Sequence, residues 1–315
     1  PASAFGASTP QLQVALEPAL ARVFVYGEPE LPSGVTRGSA PADYLVTGVT
    51  RYTAPLRPLG LLRSGAKETA GDGSAAADRY PSSYLYEKWS TASPTNFGEY
   101  LAHYTQDMVL GKTSVVLPRA AFLANEAAFD AARKSQPYYI RETTVPPTAY
   151  LVGGVPTVIL RFPYIPAGLS LQGDEGWFSF DGLYYAEHEL RQIIKTGKAD
   201  NARLQQAVQE AALTEGSLST PFESHGISFH HRGYCYYTIP IRHFDDSEAP
   251  EKTAHGRYGL VRGNEYRIHL TRILRPGSAL PPDLSKDQRP LTEERDLRSV
   301  VHVRPVVTRS HEAHL

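Results

Sequence analysis

The stretches G-Y-C-Y-Y-T-I-P-I-R-H at residues 233–243 and R-Y-G-L-V-R-G-N-E-Y-R-I-H-L-T-R-I-L at residues 257–274 decide the fold. Both are rich in tyrosine and β-branched residues, which fit a pleated, half-buried surface. The same character returns in four earlier segments, which are residues 12–16, 21–25, 44–52 and 137–165. Strands and helices do not alternate regularly along the chain, so the sequence predicts a mainly β protein, an antiparallel β-sandwich.

Two segments are predicted to be short helical insertions. The first lies near residues 118–134, where Phe122 and Phe129 stand seven apart on one helical face. The second lies at residues 186–213. Within it Asp200 is placed to cap a helix, and an apolar stripe repeats at helical spacing through Leu204, Val208, Ala211 and Ala212.

Composition excludes several classes of protein. The 315 residues include 32 Lys and Arg against 33 Asp and Glu, a net charge of −1 that supplies no basic field for nucleic acid. No apolar run reaches the roughly 18 residues that a membrane-spanning helix requires. The single cysteine, Cys235, cannot form an intramolecular disulfide, and its apolar surroundings predict a buried side chain and not a nucleophile.

Histidines form the one cluster that could suggest metal chemistry. His225, His230 and His231 lie close together, with His243, Asp245 and Asp246 downstream. Imidazole and carboxylate are zinc ligands, but adjacent strand residues point to opposite faces, so His230 and His231 cannot both reach one ion without a bulge. A nucleophile-elbow motif and a phosphate-binding loop are both missing. The sequence therefore predicts no catalytic residue, no metal, no cofactor and no enzyme.

The C-terminal segment has a strand-like alternation. Val301, Val303 and Val307 share one parity, and His302 and Arg304 have the other. A strand that lies over a hydrophobic groove requires this pattern. Two interpretations remain open, a last strand paired inside its own domain and a strand donated to another subunit. Deletion of residues 299–315 should unfold the protein in the first case and leave a folded monomer that no longer polymerises in the second.

Proline has a special position in this segment. Pro305 has no amide hydrogen, so it must lie where no ladder hydrogen bond is needed. An edge, a bulge or a bend would satisfy that condition. We favour a bend between a half that stays in its own chain and a half that is donated.

These motifs, in their order and spacing, resemble the C-terminal signature of the Bacteroidota fimbrillins, the type V pilins, and are most similar to the short (minor) fimbrillin family. That family has a tyrosine-rich strand, Arg-His, then Val-Arg-Asn-x-x-Tyr-x-(Ile/Val), a Gly/Pro-rich loop and a final strand. The corresponding residues here are 233–243, 256–268, 274–282 and 299–315. Gly263 stands where the family usually has asparagine directly after arginine.

The resemblance also implies a domain arrangement. L-E-P-A-L-A-R-V at residues 16–23 resembles the strand that begins the C-terminal domain of these pilins. Residues 23–298 are then a transthyretin-like C-terminal sandwich with the two helical insertions. Residues 1–22 are a remnant of, or a link to, an N-terminal pilin domain, and residues 299–315 are a candidate donor strand. The chain is either a C-terminal fragment or a subunit without that N-terminal domain.

In the family, an Arg-specific protease removes an N-terminal strand, and the C-terminal strand of the next subunit fills the groove. The resemblance implies a structural fimbrial subunit that joins its neighbours through Val301, Val303, Val307, Ala313 and Leu315. Its partners would be identical subunits, accessory or anchor subunits, and host or bacterial surface receptors. It would lie at the cell surface in a fimbrium attached to the outer membrane, after export by a signal segment upstream of Pro1, and serve adhesion and biofilm formation.

A second hypothesis is a carbohydrate- or protein-binding adhesin module at a fimbrial tip. The chain has 19 tyrosines, whose amphipathic rings can stack on sugars or anchor a protein partner. A tip subunit need not donate a strand, so the alternating C-terminal segment favours a shaft subunit.

Overall fold

Strands predominate among the residues that the computed structural model describes. These residues are 11–14, 20–49, 119–135, 139–141, 143–144, 150–243, 258–260, 263–284, 287–292, 295–305 and 311–314. In chain order the strands are β1 (Gln11–Val14), β2 (Leu20–Tyr26), β3 (Thr36–Arg37), β4 (Asp43–Thr47), β5 (Ala120–Ala121), β6 (Tyr139–Arg141), β7 (Thr143–Thr144), β8 (Thr157–Ile165), β9 (Trp177–Phe180), β10 (Leu183–Ala186), β11 (Phe222–Ser224), β12 (Ile227–His230), β13 (Tyr234–Pro240), β14 (Gly259–Leu260), β15 (Asn264–Ile273), β16 (Leu297–Pro305) and β17 (His311–His314). The α-helices are α1 (Phe129–Ser135), α2 (Glu187–Thr196) and α3 (Ala202–Glu210), and short 3-10 turns lie at Glu126–Ala128, Glu215–Ser219 and His231–Gly233.

Two sheets pack face to face and enclose the main core. One has the strand order β16-β15-β2-β6, and the other has the order β13-β8-β4-β5, with β3 also paired to β8. Tyr266 and Ile268 of β15 join Cys235 and Tyr237 of β13 in one buried cluster. Burial of each large apolar side chain contributes roughly 1.5–3 kcal/mol. The predicted antiparallel β-sandwich is confirmed, although β2 runs parallel to β15. A transthyretin-like topology stays a prediction.

Both outer faces of the sandwich are also covered. On one sheet, the ring of Phe129 in α1 stacks on Phe24 with centroids 5.1 Å apart and meets Tyr26 edge-on at 5.0 Å. On the other sheet, Tyr236 packs with Leu284 from the proline-rich segment after β15. Because the outer faces of both sheets are covered, another chain could add to the sheets at their edges.

The helix predicted near residues 118–134 is shorter than expected. Its first part contains β5, which pairs with β4, and the Leu123 N–H then donates a hydrogen bond to the carbonyl of Val25 at 3.0 Å. Because these residues complete the sheets, helical backbone begins only after Asn125, with the 3-10 turn and α1. Tertiary pairing has overridden the local helical pattern here.

Residues 166–233 form an inserted module between β8 and β13. Its sheet has the order β10-β9-β12-β11, and α2 and α3 pack against it. Phe178 and Phe229 of the sheet meet Leu190 of α2 and Leu204 of α3 in a second buried cluster. None of the helices in the described part of the chain is long and apolar enough to cross a membrane.

The helices predicted in this module are present, with two corrections. The stripe residues Leu204 and Val208 are buried, as predicted for α3. The helix ends at Glu210, so Ala211 and Ala212 of the predicted stripe lie beyond it, and Ala212 is exposed. However, Asn201 caps the helix instead of Asp200. Its side-chain oxygen accepts hydrogen bonds from the N–H groups of Arg203 at 3.0 Å and Leu204 at 3.2 Å. Asn201 is the cap and Asp200 is not, because only the residue directly before the first helical turn can reach these N–H groups.

Candidate assembly site

The strand β16 holds the first half of the C-terminal segment within the sandwich of its own chain. It pairs antiparallel with β15, so that Val301 lies opposite Ile268 and Val303 opposite Tyr266. The side chains of Val301 and Val303 pack against the main core, whereas their neighbours on the other parity are exposed. The predicted alternation is present. The surface that these two valines cover belongs to their own chain.

The described part of the second half, residues 311–314, pairs in a different sheet. Pro305 ends β16 opposite Asn264, the first residue of β15. Ala313 lies in β17 opposite Leu12 of β1, and these two strands form a two-stranded sheet of their own. Two further predicted donor residues lie outside the described part of the chain, Val307 and Leu315. The strands β16 and β17 thus have different partners, β15 and β1, and the bend at Pro305 stays a prediction.

A largely buried ionic cluster joins β15 to α1. It stabilises β15, the strand with which β16 pairs. Glu265 accepts hydrogen bonds from Arg133 at 2.9 Å and 2.6 Å and from Arg267 at 2.8 Å. Burial by itself would raise the pKa of the Glu265 carboxyl, but these arginine bonds outweigh it and leave the pKa below its ordinary value. The Arg267 guanidinium also lies over the ring of Phe129, 4.6 Å from its centre.

The edge strand β13 presents main-chain groups that have no partner among the described residues. The Tyr236 N–H donates to the Ser278 carbonyl at 2.9 Å, and the Ser278 N–H donates back at 3.1 Å, so Tyr236 faces outward from the sheet. Main-chain groups alternate along a strand, and those of Thr238 therefore face the same way. Neither its N–H nor its carbonyl has a partner within the described part of the chain.

A groove of about 620 Å³ runs beside this open edge. Its apolar lining includes Tyr237, Pro240, Pro282, Leu284, Leu291 and Leu297. Two of the charged groups at the groove are neutralised locally, because Arg289 pairs with Asp287 and Asp296 pairs with Arg275, each at 2.5 Å. Arg295 is exposed and has no ion-pair partner within the described residues. The groove therefore has a mixed lining in which apolar side chains predominate, and Arg295 is its one unpaired cation among the described residues.

The histidine cluster separates into unrelated environments. His230 ends β12 and is buried against Trp177, and burial lowers the pKa of its imidazole to about 4. His231 lies in the following turn, with Nδ1 3.0 Å from the carbonyl of Leu218. Within the described residues, no group of three or more His, Cys, Asp or Glu is placed to hold a metal ion. Two other members of the cluster lie outside the described residues, Asp245 and Asp246.

The cysteine environment agrees with the sequence. Cys235 is fully buried in the main core, as predicted. Burial raises the pKa of its thiol well above the ordinary value, so the thiolate that a nucleophile requires is strongly disfavoured.

Sequence reasoning missed the open edge of β13. Pro240 was a usable signal, because a proline in a strand is tolerated at an edge where no N–H is needed. The sequence around Tyr236 contains no comparable signal for its pairing with Ser278. Only this pairing shows that the main-chain groups of Thr238 point away from the sheet.

Residues 228–312 match the family model described as major fimbrial subunit protein type IV, fimbrillin, C-terminal. The match covers about a quarter of the chain, from within β12 to within β17. A search of curated proteins found no match to the chain. The matched part contains the open edge of β13 and the C-terminal segment as far as Glu312. This part of the chain is similar to the C-terminal region of fimbrillins, which are subunits of cell-surface fimbriae.

Proposed function

We propose that this protein is a structural subunit of a fimbria, of the type V kind and closest to the short fimbrillins of Bacteroidota. The observation that carries the proposal is the fimbrillin match at residues 228–312, which spans β13, β15, β16 and most of the C-terminal segment. A sandwich with edge strands suits assembly by addition of a strand, in which main-chain hydrogen bonds give affinity and alternate side chains give register. In this proposal the role of the protein is structural and not catalytic.

Strand donation in this proposal is confined to the residues after Pro305. The strand β16 stays in place, and Val301 and Val303 anchor the segment to the donor subunit. The outer half adds to a neighbour and inserts its apolar residues, Val307, Ala313 and Leu315. Among the described strands, β17 pairs with β1 alone. An isolated two-stranded sheet is marginally stable in water, so this outer half can leave its own chain at low cost.

The proposal implies a place and partners for the protein. Identical subunits form the shaft, and accessory or anchor subunits attach it to the outer membrane. Export by a signal segment of the precursor precedes assembly. The assembled fimbria would then bind receptors on host or bacterial surfaces and so serve adhesion and biofilm formation.

The direct test compares the full chain with a variant that ends at residue 305. Purified monomers are incubated and then run on denaturing gels with and without boiling. We expect heat-labile ladders from the full chain and none from the truncated chain, with unchanged circular dichroism because β16 is retained. Ladders of equal length from both chains would contradict strand donation.

One observation favours a tip adhesin as a second candidate. Leu183 and Tyr184 are exposed by 56% and 41% at the start of β10, beside the hairpin turn that follows β9. The Tyr184 ring meets Trp177 edge-on at 5.4 Å, so it is presented in a fixed orientation that a sugar ring could stack on. Glycan-array binding that is lost in Tyr184→Ser and survives truncation at residue 305 would support this function. Equal binding by Tyr184→Ser would contradict it.

A further inference from the structure

We infer that the sheet of the inserted module binds an uncharged, extended glycan along one row of side chains, formed by Tyr184, Ser179, Ser228 and Glu223. The inference rests on the second candidate function, the adhesin, and adds a defined site and a class of ligand to it. It is independent of strand donation. The position of the row, the chemistry of its side chains and the fixed setting of the tyrosine support it.

Strand pairing places the four side chains in one line across the module. Tyr184 of β10 lies opposite Ser179 of β9. Ser179 lies opposite Ser228 of β12, which in turn lies opposite Glu223 of β11. Residues that are directly opposite in antiparallel strands share one face of the sheet. Neighbouring strands are roughly 4.8 Å apart, so the row is roughly 14 Å long.

The row is the open part of its face. The opposite face of the sheet packs against α2 and α3 through Phe178 and Phe229. On the face of the row, the next positions towards the sandwich are Trp177 and His230, and both are buried. In the other direction the strands end at the hairpin turns between β9 and β10 and between β11 and β12. A ligand therefore meets a single row, whose members are exposed or half-buried.

The side chains of the row match the surface of a sugar. The C–H groups on the face of a pyranose ring stack on an aromatic ring, and its hydroxyl groups both donate and accept hydrogen bonds. Ser179 and Ser228 offer hydroxyls, and Glu223 offers carboxylate oxygens that accept. In the part of the chain that the structure describes, these three side chains have no hydrogen-bond or ion-pair partner. Their bonding capacity is open to a ligand.

The charge of Glu223 selects the class of glycan. Its carboxylate is exposed and has no cation paired to it among the described residues. An uronic acid or a sulfated sugar at this end of the row would bring a like charge against it, which disfavours binding. A sugar hydroxyl instead donates a charge-assisted hydrogen bond to the carboxylate. The row therefore favours an uncharged chain.

The size of the row excludes a protein as the occupant. Tyr184 is the one large apolar side chain exposed on this face among the described residues. Leu183 is also exposed, but it lies opposite Phe180, which belongs to the cluster on the helix side of the sheet. A row that is one side chain wide falls far short of the roughly 800 Å² per partner of a stable protein–protein interface. Its length suits a short stretch of an extended oligosaccharide.

Tyr184 is held in place before a ligand arrives. Its ring meets Trp177 edge-on with centroids 5.4 Å apart, and the Trp177 indole is itself fixed by its hydrogen bond to the carbonyl of Tyr164 at 2.6 Å. A side chain that is already ordered loses little conformational entropy when it binds. The tyrosine is therefore a prepared stacking platform at one end of the row, with the carboxylate at the other.

The test measures binding of purified monomer to cellohexaose, xylohexaose and mannohexaose by isothermal titration calorimetry. These are uncharged, β-linked and extended chains, and a hexamer of β-linked mannuronic acid is the charged probe. We expect binding of at least one uncharged hexamer and none of the charged one. Tyr184→Ser should weaken binding by about tenfold or more, and Tyr184→Phe should keep most of it because the ring remains.

Two further variants test the rest of the row. The double variant Ser179→Ala with Ser228→Ala should weaken binding by about threefold to tenfold for each hydrogen bond lost. Glu223→Gln should weaken the uncharged hexamer by under about tenfold and admit the charged one, because the repelling charge is gone. Leu183→Ser, an exposed neighbour on the opposite face, is the control and should have no effect. Circular dichroism and thermal unfolding establish that all variants are folded.

The outcomes distinguish this inference from the proposed functions. Failure of all three uncharged hexamers to bind would overturn it and leave the structural fimbrial function standing. Binding that is unchanged in Tyr184→Ser and in the double serine variant would also overturn it, because the sugar would then lie elsewhere. Equal binding of the charged hexamer by the wild-type chain would overturn the class of ligand. The structural function fails separately, by absence of ladders from the wild-type chain.

Discussion

The imidazole of His230 lies flat against the indole of Trp177, with ring centroids 3.7 Å apart and ring planes 12° apart. The indole N–H donates to the carbonyl of Tyr164 on β8 at 2.6 Å, and His230 Nδ1 lies 3.0 Å from the carbonyl of Tyr234 on β13. The pair therefore fastens the inserted module to both strands from which it emerges. Because the imidazole is buried and neutral, this attachment should depend on pH.

We expect the free energy of unfolding to fall as the pH is lowered from about 7 to 5. Burial lowers the pKa of His230 to about 4, so the unfolded chain takes up a proton below its ordinary pKa of 6.5 and the folded chain does not. Stability from this residue is present above pH 6.5 and is lost progressively towards pH 4, by about 2 kcal/mol between pH 7 and 5. Urea unfolding at these two pH values measures the loss.

The matched variant is His230→Phe, which keeps a ring against Trp177. It should reduce the difference between pH 7 and 5 by about 2 kcal/mol. A pH dependence remains from His243, whose pKa is also lowered to about 4 by burial. An identical pH dependence in wild type and His230→Phe would show that His230 is not the titrating group.

The sequence predicted strands where the residues of a single segment alternate in polarity or are rich in tyrosine. The predicted segments 12–16 and 21–25 contain β1 and β2 in their described parts, and the tyrosine-rich run corresponds to β13. The hairpin between β9 and β10 was missed although a signal exists. Asp181 and Gly182 have φ of 49° and 77°, the geometry in which an Asp-Gly pair connects two strands.

What the sequence could not predict depends on contacts between distant segments. β2 lies beside β15 in parallel, with Val23 opposite Tyr266, and no local pattern selects that neighbour. The candidate site has the same limitation. Alternation predicted that Val301 and Val303 face an apolar surface, but only the pairing with β15 reveals that this surface is their own core.

Loss of Glu265 should destabilise the sandwich strongly. Glu265→Gln removes the buried carboxylate that faces Arg133 and Arg267 and leaves these guanidinium groups only the more exposed carboxylates of Asp130 and Glu126. We expect a loss of about 3 kcal/mol in the free energy of unfolding. The control Glu126→Gln changes a carboxylate that is 46% exposed and should cost under about 1 kcal/mol. Equal losses in chemical denaturation would contradict the role of the buried cluster.

The two halves of the C-terminal segment should respond differently to truncation. A chain that ends at residue 298 lacks most of β16 and uncovers the core beside Ile268, so we expect a large drop in the unfolding midpoint or no folded protein. A chain that ends at residue 305 keeps β16 and should unfold close to the wild-type midpoint. A folded, stable protein ending at residue 298 would mean that β16 is dispensable to its own sandwich.

The final prediction concerns single substitutions on either side of Pro305. Val303→Asp places a charge at a half-buried position against the core of its own chain and should lower stability by about 2–3 kcal/mol, whereas Val307→Asp should leave stability unchanged and weaken subunit joining by several kcal/mol. Thr308→Asp, on the opposite parity, should affect neither much. Denaturation curves and gel ladders measure the two properties separately. If Val307→Asp and Thr308→Asp impair polymerisation equally, or if Thr308→Asp alone does so, the donated half does not insert with the register proposed here.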